Sequence, residues 1–475
     1  MSNSIRFKLF LMMVLELFIW GAWLPLIYGY LPSLGFSAST PPELISSLIP
    51  HKLWFLFSQQ ALILNAFPVA AIIGMFFSTQ YADRHFSAEK FMAFSHLVGG
   101  AAILSLAFIN PPLPVPGLTP GAPNPNAPFW SFFILMSIHC LLYVPTISIA
   151  NSIAFAHIKD AQKEFGLIRV GGTIGWILAA WPFTFILVDW AKVHAANPQG
   201  FVNWLGTVLG SGLSGEALQH ATRWTYIVAG IASFVLAAFS LTLPHTPAKK
   251  VEVGADRFAW LEALKLLKHP FVLILWLVTI VDAFALYSYF NWTGVFLSTA
   301  PPAGVGIRGN WIMPVMSIGQ VAEILTMLIL GAVLKRLGWR LTMVIGILGH
   351  VARFAVYSWA PTPGAVITVQ LLHGICYAFF FATVYIFVDE YFPKDVRSSA
   401  QGLFNAVILG LGSLLANSIC PYLMQTVFTH NGVTDFKDLF LVPLVAALVA
   451  AIALALFFRP PPRQPEPAAA AAMAA

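Results

Sequence analysis

The sequence predicts an all-α integral membrane protein with twelve transmembrane helices in two six-helix halves. Three observations predict it. Of the 475 residues, 59% are hydrophobic and only 9% are charged, with a mean hydropathy of +0.80. A soluble domain carries about 25% charged residues, so most of this surface must be solvated by lipid. Apolar runs of roughly the 20 residues needed to span a bilayer recur along the chain. A helix is the span that satisfies each backbone N–H and C=O within itself, and the alternation of an outer-membrane barrel is absent. Finally, basic residues gather in alternate connections.

The runs lie near 8–30, 56–80, 89–110, 128–150, 165–188, 223–243, 270–293, 310–334, 340–359, 363–388, 399–424 and 436–459. The first follows Arg6 and Lys8, as a signal peptide would. It is too long for one, contains Glu16 and shows no small-residue cleavage site, so it reads as the first span. Two connections are longer than a tight turn: 37–55, and 111–127 (PPLPVPGLTPGAPNPNA), which is too rich in Pro and Gly to be helical. The most charged stretch, LPHTPAKKVEVGADRFAWLEALKLLKHP, separates the sixth and seventh runs. Phe258, Leu261, Leu264 and Leu267 recur there with a helical period, predicting an amphipathic cytoplasmic helix. The division is therefore an N-terminal half (1–243), a linker (244–269), a C-terminal half (270–459) and a disordered low-complexity tail (460–475).

With the N-terminus inside, 19 of the 25 Lys and Arg residues fall in inside segments. Cytoplasmic loops retain basic residues, so both termini are expected in the cytoplasm. The net charge of +6 reflects this topology and gives no reason to invoke nucleic acid. Cys140, Cys376 and Cys420 sit inside apolar runs, with no metal-site or disulfide spacing. No metal or cofactor is expected.

The halves echo each other. QYADRHFSAEK stands between the second and third runs, and LKRLGWR stands at the equivalent place between the eighth and ninth. Such loops are typical of the major facilitator superfamily, whose halves rock around a central site, although any tight positive-inside turn would also account for them. Sharper strings are FIWGAWL (18–24), YVPTISIANSI (143–153), IRVGGTIGW (168–176), LTLPHTPAK (241–249), MSIGQVAE (316–323), ARFAVYSWAPTP (352–363), SSAQGLF (398–404) and NGVTDF (431–436). As an ordered set over roughly residues 8–458, they resemble the bacterial nucleoside:proton symporter family of that superfamily. The resemblance implies a monomeric transporter in the bacterial inner membrane that takes up nucleosides with protons by alternating access. Its site would lie midway through the bilayer between the halves.

Residues matching the family face on the fifth run are Arg169, Thr173 and Trp176, spaced by four and three and so on one side of a helix. The Arg would hydrogen-bond sugar hydroxyls or hold a carboxylate, and the indole would stack on a base. The plain alternative is an Arg that snorkels to the cytoplasmic surface. Gln320 and Glu323 match a polar pair on one face of the eighth run, an amide and a carboxylate suited to ribose hydroxyls, or else a helix–helix hydrogen bond. His373 and Tyr377 lie where the family has aromatics on the tenth run; Tyr377 fits and His373 departs, while Phe379, Phe380 and Phe381 read as packing. Asp83 and Arg84 read as gating or structural charges in the cytoplasmic loop.

Two departures matter. On the seventh run the characterised symporters carry a Gln and an Asn; that register here holds Tyr287 and Phe290, with Asn291 beside them. The family's membrane-embedded Asp, implicated in proton coupling, falls at Ala378. Glu323, Asp282, Glu16 and His373 are the intramembrane groups left to carry a proton. For Glu16 and Asp282 an interhelical hydrogen bond is an equal alternative. The altered seventh run also keeps open another hydroxylated solute, such as a sugar. A membrane-embedded enzyme would need clustered His, Asp or Glu at one membrane face. The polar residues here are scattered over five runs, so no enzymatic activity is expected.

Overall fold

The structure, a computed structural model, describes residues 3–74, 86–110, 124–158, 161–247, 264–392 and 394–459. The N-terminal half contains α1 (Asn3–Ser33), α2 (Gln59–Ile73), α3 (Ala88–Leu106), α4 (Phe129–His157), α5 (Ala161–Ala180) and α6 (Arg223–Ser240). The C-terminal half opens with α7 (Pro270–Ser298). Next, α8 and α9 share the stretch Gly309–Trp359 and part at Gly338, where φ is 71°, a left-handed value that glycine adopts without steric cost. The half closes with α10 (Pro363–Tyr391), α11 (Ala400–Val427) and α12 (Phe436–Phe457).

Eight described helical stretches are long and apolar enough to cross a bilayer, and the 51-residue α8–α9 stretch holds two spans. The short turn His51–Phe57 and α2, bent by 54°, together make another. In contrast, α3 and α5 are diluted by inward polar residues, His96 on one and Arg169 and Thr173 on the other. A multi-pass membrane protein with twelve spans in two halves follows.

The string IRVGGTIGW shows how sequence sets packing. Gly171 and Gly175 recur four residues apart on the side of α5 that meets α1. A Cβ at Gly171 would sit 2.7 Å from the Phe10 carbonyl, and one at Gly175 would run into the Val14 backbone. Small residues at this spacing let two membrane helices approach backbone to backbone. The ion pair between Arg6 and Glu164 (2.7 Å) joins the same helices near their ends. Its Arg is well exposed, and such pairs contribute about 0–1 kcal/mol, so the glycine contact governs the α1–α5 geometry.

The halves meet at one end of the bundle. Gln60 and Gln425 exchange reciprocal amide hydrogen bonds (2.9 and 2.8 Å). Asn65 donates to Ser418 Oγ (2.9 Å), and Asn417 donates to the Leu64 carbonyl (3.1 Å). At the head of α8, Asn310 donates to the Thr184 and Leu209 carbonyls. Gly294 of α7 lies against the Pro25 carbonyl of α1.

The connection between α5 and α6 is a third long segment, which the sequence reading passed over. It folds as Phe183–Ile186, Trp190–Ala196, Phe201–Gly210 and Gly215–Ala221. Its Trp204 packs on a small cluster of Val188, Val193 and Val208. The connection 37–55 likewise contains helical turns, at Glu43–Ser46 and from His51. NGVTDF is structural: Asn431 and Gly432, both at positive φ, turn a two-residue hairpin. Asp435 then caps α12 by accepting from the Asp438 N–H. The Pro-rich stretch 111–123, Asp83 and Arg84, the amphipathic pattern from Phe258 to Leu261, and the tail lie outside the described residues.

Candidate functional site: a cavity between the halves

A cavity of about 500 Å³ runs from the middle of the bundle toward the end opposite the closed one. Of the sequence-derived substrate residues, Arg169, Thr173, Trp176, Tyr287, Phe290, Gln320, Glu323, His373 and Tyr377 all line it. The structure thus brings one face of α5 against one face each of α7, α8 and α10.

Asn291 does not reach the cavity. It is buried, and its amide donates to the Tyr287 carbonyl (2.9 Å) and to Asn417 Oδ1 (3.2 Å). One residue along a helix is a rotation of about 100°, so Phe290 faces the cavity while Asn291 faces α11. The other two acids also lie elsewhere. Glu16 is fully buried within the N-terminal half. One carboxylate oxygen meets His96 Nε2 (3.0 Å), and the other accepts from Thr146 Oγ1 (2.8 Å). His96 continues to Ser233 Oγ (3.0 Å), which ties α1, α3, α4 and α6 together. Asp282 is fully buried inside the C-terminal half, away from the cavity.

Arg169 does not snorkel to a surface. Its guanidinium folds back over Gly172 and lines the cavity, within electrostatic reach of Glu323 and Tyr377. On the other side, Gly374 of α10 brings that helix onto α8; a Cβ there would lie 2.6 Å from the Glu323 backbone nitrogen. The backbone that carries Glu323 is therefore seated directly on α10. The Gln320 amide oxygen is buried and has no hydrogen-bond partner among the described residues.

Aromatic side chains form an arc across the closed end of the cavity. Phe67 stacks on Trp20 (4.5 Å between centroids), and Trp20 meets Trp176 edge-on (5.2 Å). Trp176 faces Phe290 across the two halves (6.2 Å), and Phe290 meets His373 (6.1 Å). Toward the other end the lining turns polar, with Asn151, Tyr385 and Asn405; the Tyr385 hydroxyl donates to Asn405 Oδ1 (2.6 Å). Trp20, Asn151, Tyr385 and Asn405 were not singled out from the sequence, although FIWGAWL and YVPTISIANSI contain the first two.

Helix α10 is irregular at the site. Residues Tyr377–Ala382 form a π-helical turn, a feature frequent at functional sites. Ala378, at the family Asp position, is fully buried and packs with Leu330, Phe379 and Ala382, outside the cavity lining.

The family model for the nucleoside H+ symporter matches residues 3–212 and 200–463. Among curated proteins, the chain is 28% identical to the putative nucleoside transporter YegT of Escherichia coli, covering 95% of this chain and 93% of that protein. It is 25% identical to the nucleoside permease NupG of the same organism, covering 96% of each, and 24% identical to its xanthosine permease, covering 94% of each. The crystal structure of nucleoside transporter NupG superposes with a TM-score of 0.72 at 22% identity, covering 97% of this chain and all of that one. A D-xylose-proton symporter shares the fold with a TM-score of 0.60 at 15% identity, over 96% of this chain and 98% of the other. The fold is thus that of the major facilitator superfamily, and the chain belongs to the nucleoside H+ symporter family.

Proposed function

We propose that the chain takes up nucleosides with protons across the bacterial inner membrane, binding one nucleoside in the central cavity. The observation that carries this reading is the aromatic arc set against a polar wall. A flat heterocycle fits beside Trp176 and Phe290, where aromatic stacking contributes about 0.5–1.5 kcal/mol beyond burial. The Gln320 amide, the Glu323 carboxylate and the Arg169 guanidinium supply donors and acceptors for a ribose. A cavity near 500 Å³ lies within the usual range for small-molecule sites. Glu323 is the group that ties proton binding to substrate, because it shares the cavity with the ligand. The protein works as a monomer in which the halves 1–243 and 270–459 rock about this site.

Reconstitution in liposomes tests the reading. Labelled uridine and adenosine should accumulate above equilibrium under an inward proton gradient, and xylose should not. Accumulation of xylose alone would replace the nucleoside with a sugar.

Gln320→Ala leaves a substrate donor unpaired at a buried position. The expected cost is about 1–3 kcal/mol, a tenfold to hundredfold rise in the nucleoside Kd, with an unchanged elution profile. A well-folded variant that binds as tightly as the parent would remove Gln320 from the site.

The asymmetry of Lys and Arg supports a topology with both termini in the cytoplasm, in which the cavity faces inward and the closed end faces out. The three native cysteines are buried, which leaves a clean background for labelling. Gln199→Cys should react with an impermeant maleimide in intact cells, and Lys335→Cys, exposed at the α8–α9 turn, should react only after lysis. The opposite pattern would invert the topology.

A further inference from the structure

The C-terminal half encloses a second group of ionisable side chains, of which His373 alone also lines the nucleoside cavity. Asp282 comes from α7, His350 and Arg353 from α9, and His373 and Cys376 from α10; each is at most 3% exposed. His350 Nε2 lies 3.9 Å from Asp282 Oδ1. Among the described residues, neither Asp282 oxygen has a hydrogen-bond partner, nor does either His350 ring nitrogen, nor Arg353 Nε or Nη1. Arg353 is held instead over the Tyr289 ring, 4.3 Å from its centroid, with Nη2 3.8 Å from Cys376 Sγ.

The contrast with Glu16 is the argument. In the N-terminal half both carboxylate oxygens are bonded, and the adjoining imidazole is bonded at both nitrogens. That is how a buried ion looks when its role is to join helices. In the C-terminal half the same residue types are gathered and left unpaired. Leaving an ion buried without its partner costs several kcal/mol, so a group without an exchangeable occupant would be a standing loss. A proton is the occupant that this space admits.

We propose that Asp282 and His350 form a second proton-binding site, reached from the substrate cavity past His373 and balanced by Arg353. The inference rests on the proton-coupled reading above. In the conformation described here Asp282 holds the proton as a neutral carboxyl group, and Arg353 keeps its charge against the Tyr289 ring. On release, the O–H bond of the carboxyl breaks and the proton passes by way of His350 toward the cavity. The remaining carboxylate is then neutralised by Arg353, with no other bond made or broken. His373 stands at the junction: it lines the cavity, its ring lies tilted 5.4 Å from that of Tyr289, and its Nδ1 has no partner among the described residues.

The surrounding elements add few competing groups. Tyr357 of α9 receives the Gln370 amide (2.7 Å), and Tyr289 donates to the same Gln370 (2.9 Å). Helix α12 packs on α7 and α9 through Phe440, which meets Trp292, Phe296 and Phe354, and has no titratable residue between Asp438 and Arg459. Helix α11 brings only Cys420, 3.3 Å from Ser288 Oγ. Glu323 of α8 lies on the cavity side.

The test uses purified, reconstituted protein and three readouts: uridine exchange without a gradient, proton-driven uridine accumulation, and protons released or taken up on uridine addition, followed with a pH indicator. Asp282→Asn should keep exchange within about twofold of the parent, cut accumulation at least tenfold and reduce the proton signal. Asp282→Glu should restore part of both. If Asp282→Asn fails to fold, His350→Gln replaces it with the same expectation. Full accumulation and an unchanged proton signal in Asp282→Asn would overturn the second site while leaving coupling at Glu323 intact. A parent protein that only equilibrates uridine under any gradient would overturn both.

Discussion

Glu323→Gln is expected to turn the protein from an accumulating transporter into one that only equilibrates its substrate. The carboxylate stands in the cavity with Gln320 one turn away and Arg169 within electrostatic reach. A proton symporter needs a group whose occupancy by a proton alters what the cavity presents to the substrate. The amide keeps the size and one acceptor but cannot exchange a proton at any accessible pH. Uridine accumulation under an inward proton gradient should fall to the equilibrium level, while exchange persists at higher uridine concentrations. Because Ala378 stands where the family pattern has an acid on α10, loss of accumulation in this variant would assign the coupling to Glu323. Accumulation by Glu323→Gln comparable to the parent's would move the coupling to another group.

The second large effect concerns structure. Gly175→Val is expected to lower thermal stability and abolish uptake, because a side chain at this position strikes the Val14 backbone of α1 rather than a side chain that could turn aside. Overpacking a tight contact typically costs about 1–3 kcal/mol, and a blocked backbone–backbone approach sits at the upper end. The displacement would also reach the cavity. Trp176 is the next residue along α5, and its Cα lies 3.1 Å from where a Cβ on Gly21 would sit. Gly331→Val is the control, since nothing lies within 4 Å of a Cβ there. Measured by thermal scans in detergent, the first variant should melt well below the parent and the second close to it. Equal melting of the two would mean that α1 and α5 are not held by this contact.

What was legible in the sequence came from the family resemblance together with helical geometry. Arg169, Thr173 and Trp176, and likewise Gln320 and Glu323, were picked out by their resemblance to the family pattern, and their spacing of three and four put each set on one face whatever the helix packs against. The direction of that face is a tertiary matter. Glu16, Asp282 and Glu323 look alike as single acids in apolar runs, yet one joins four helices, one is sealed in the C-terminal half and one lines the cavity. Asn291 was misplaced by a single residue, which on a helix is a different wall. Tyr385 and Asn405 give no local signal, because they meet only when α10 and α11 are side by side. The segment from Trp190 to Ala221 was passed over because its helices are too short to register as spans.

The reciprocal amides of Gln60 and Gln425 have a consequence for how the closed end responds to its surroundings. Each side chain gives the other one hydrogen and takes one, Gln60 donating also to the Phe36 carbonyl, and the pair carries no net charge. Neither partner ionises between strong acid and strong base. A clasp built from Asp and Lys would slacken in acid and weaken in salt; this one is indifferent to both. With net gains of about 0.5–1.5 kcal/mol per neutral hydrogen bond, it is also shallow enough to part on each cycle. Acidity and salinity therefore leave this contact between the halves at constant strength.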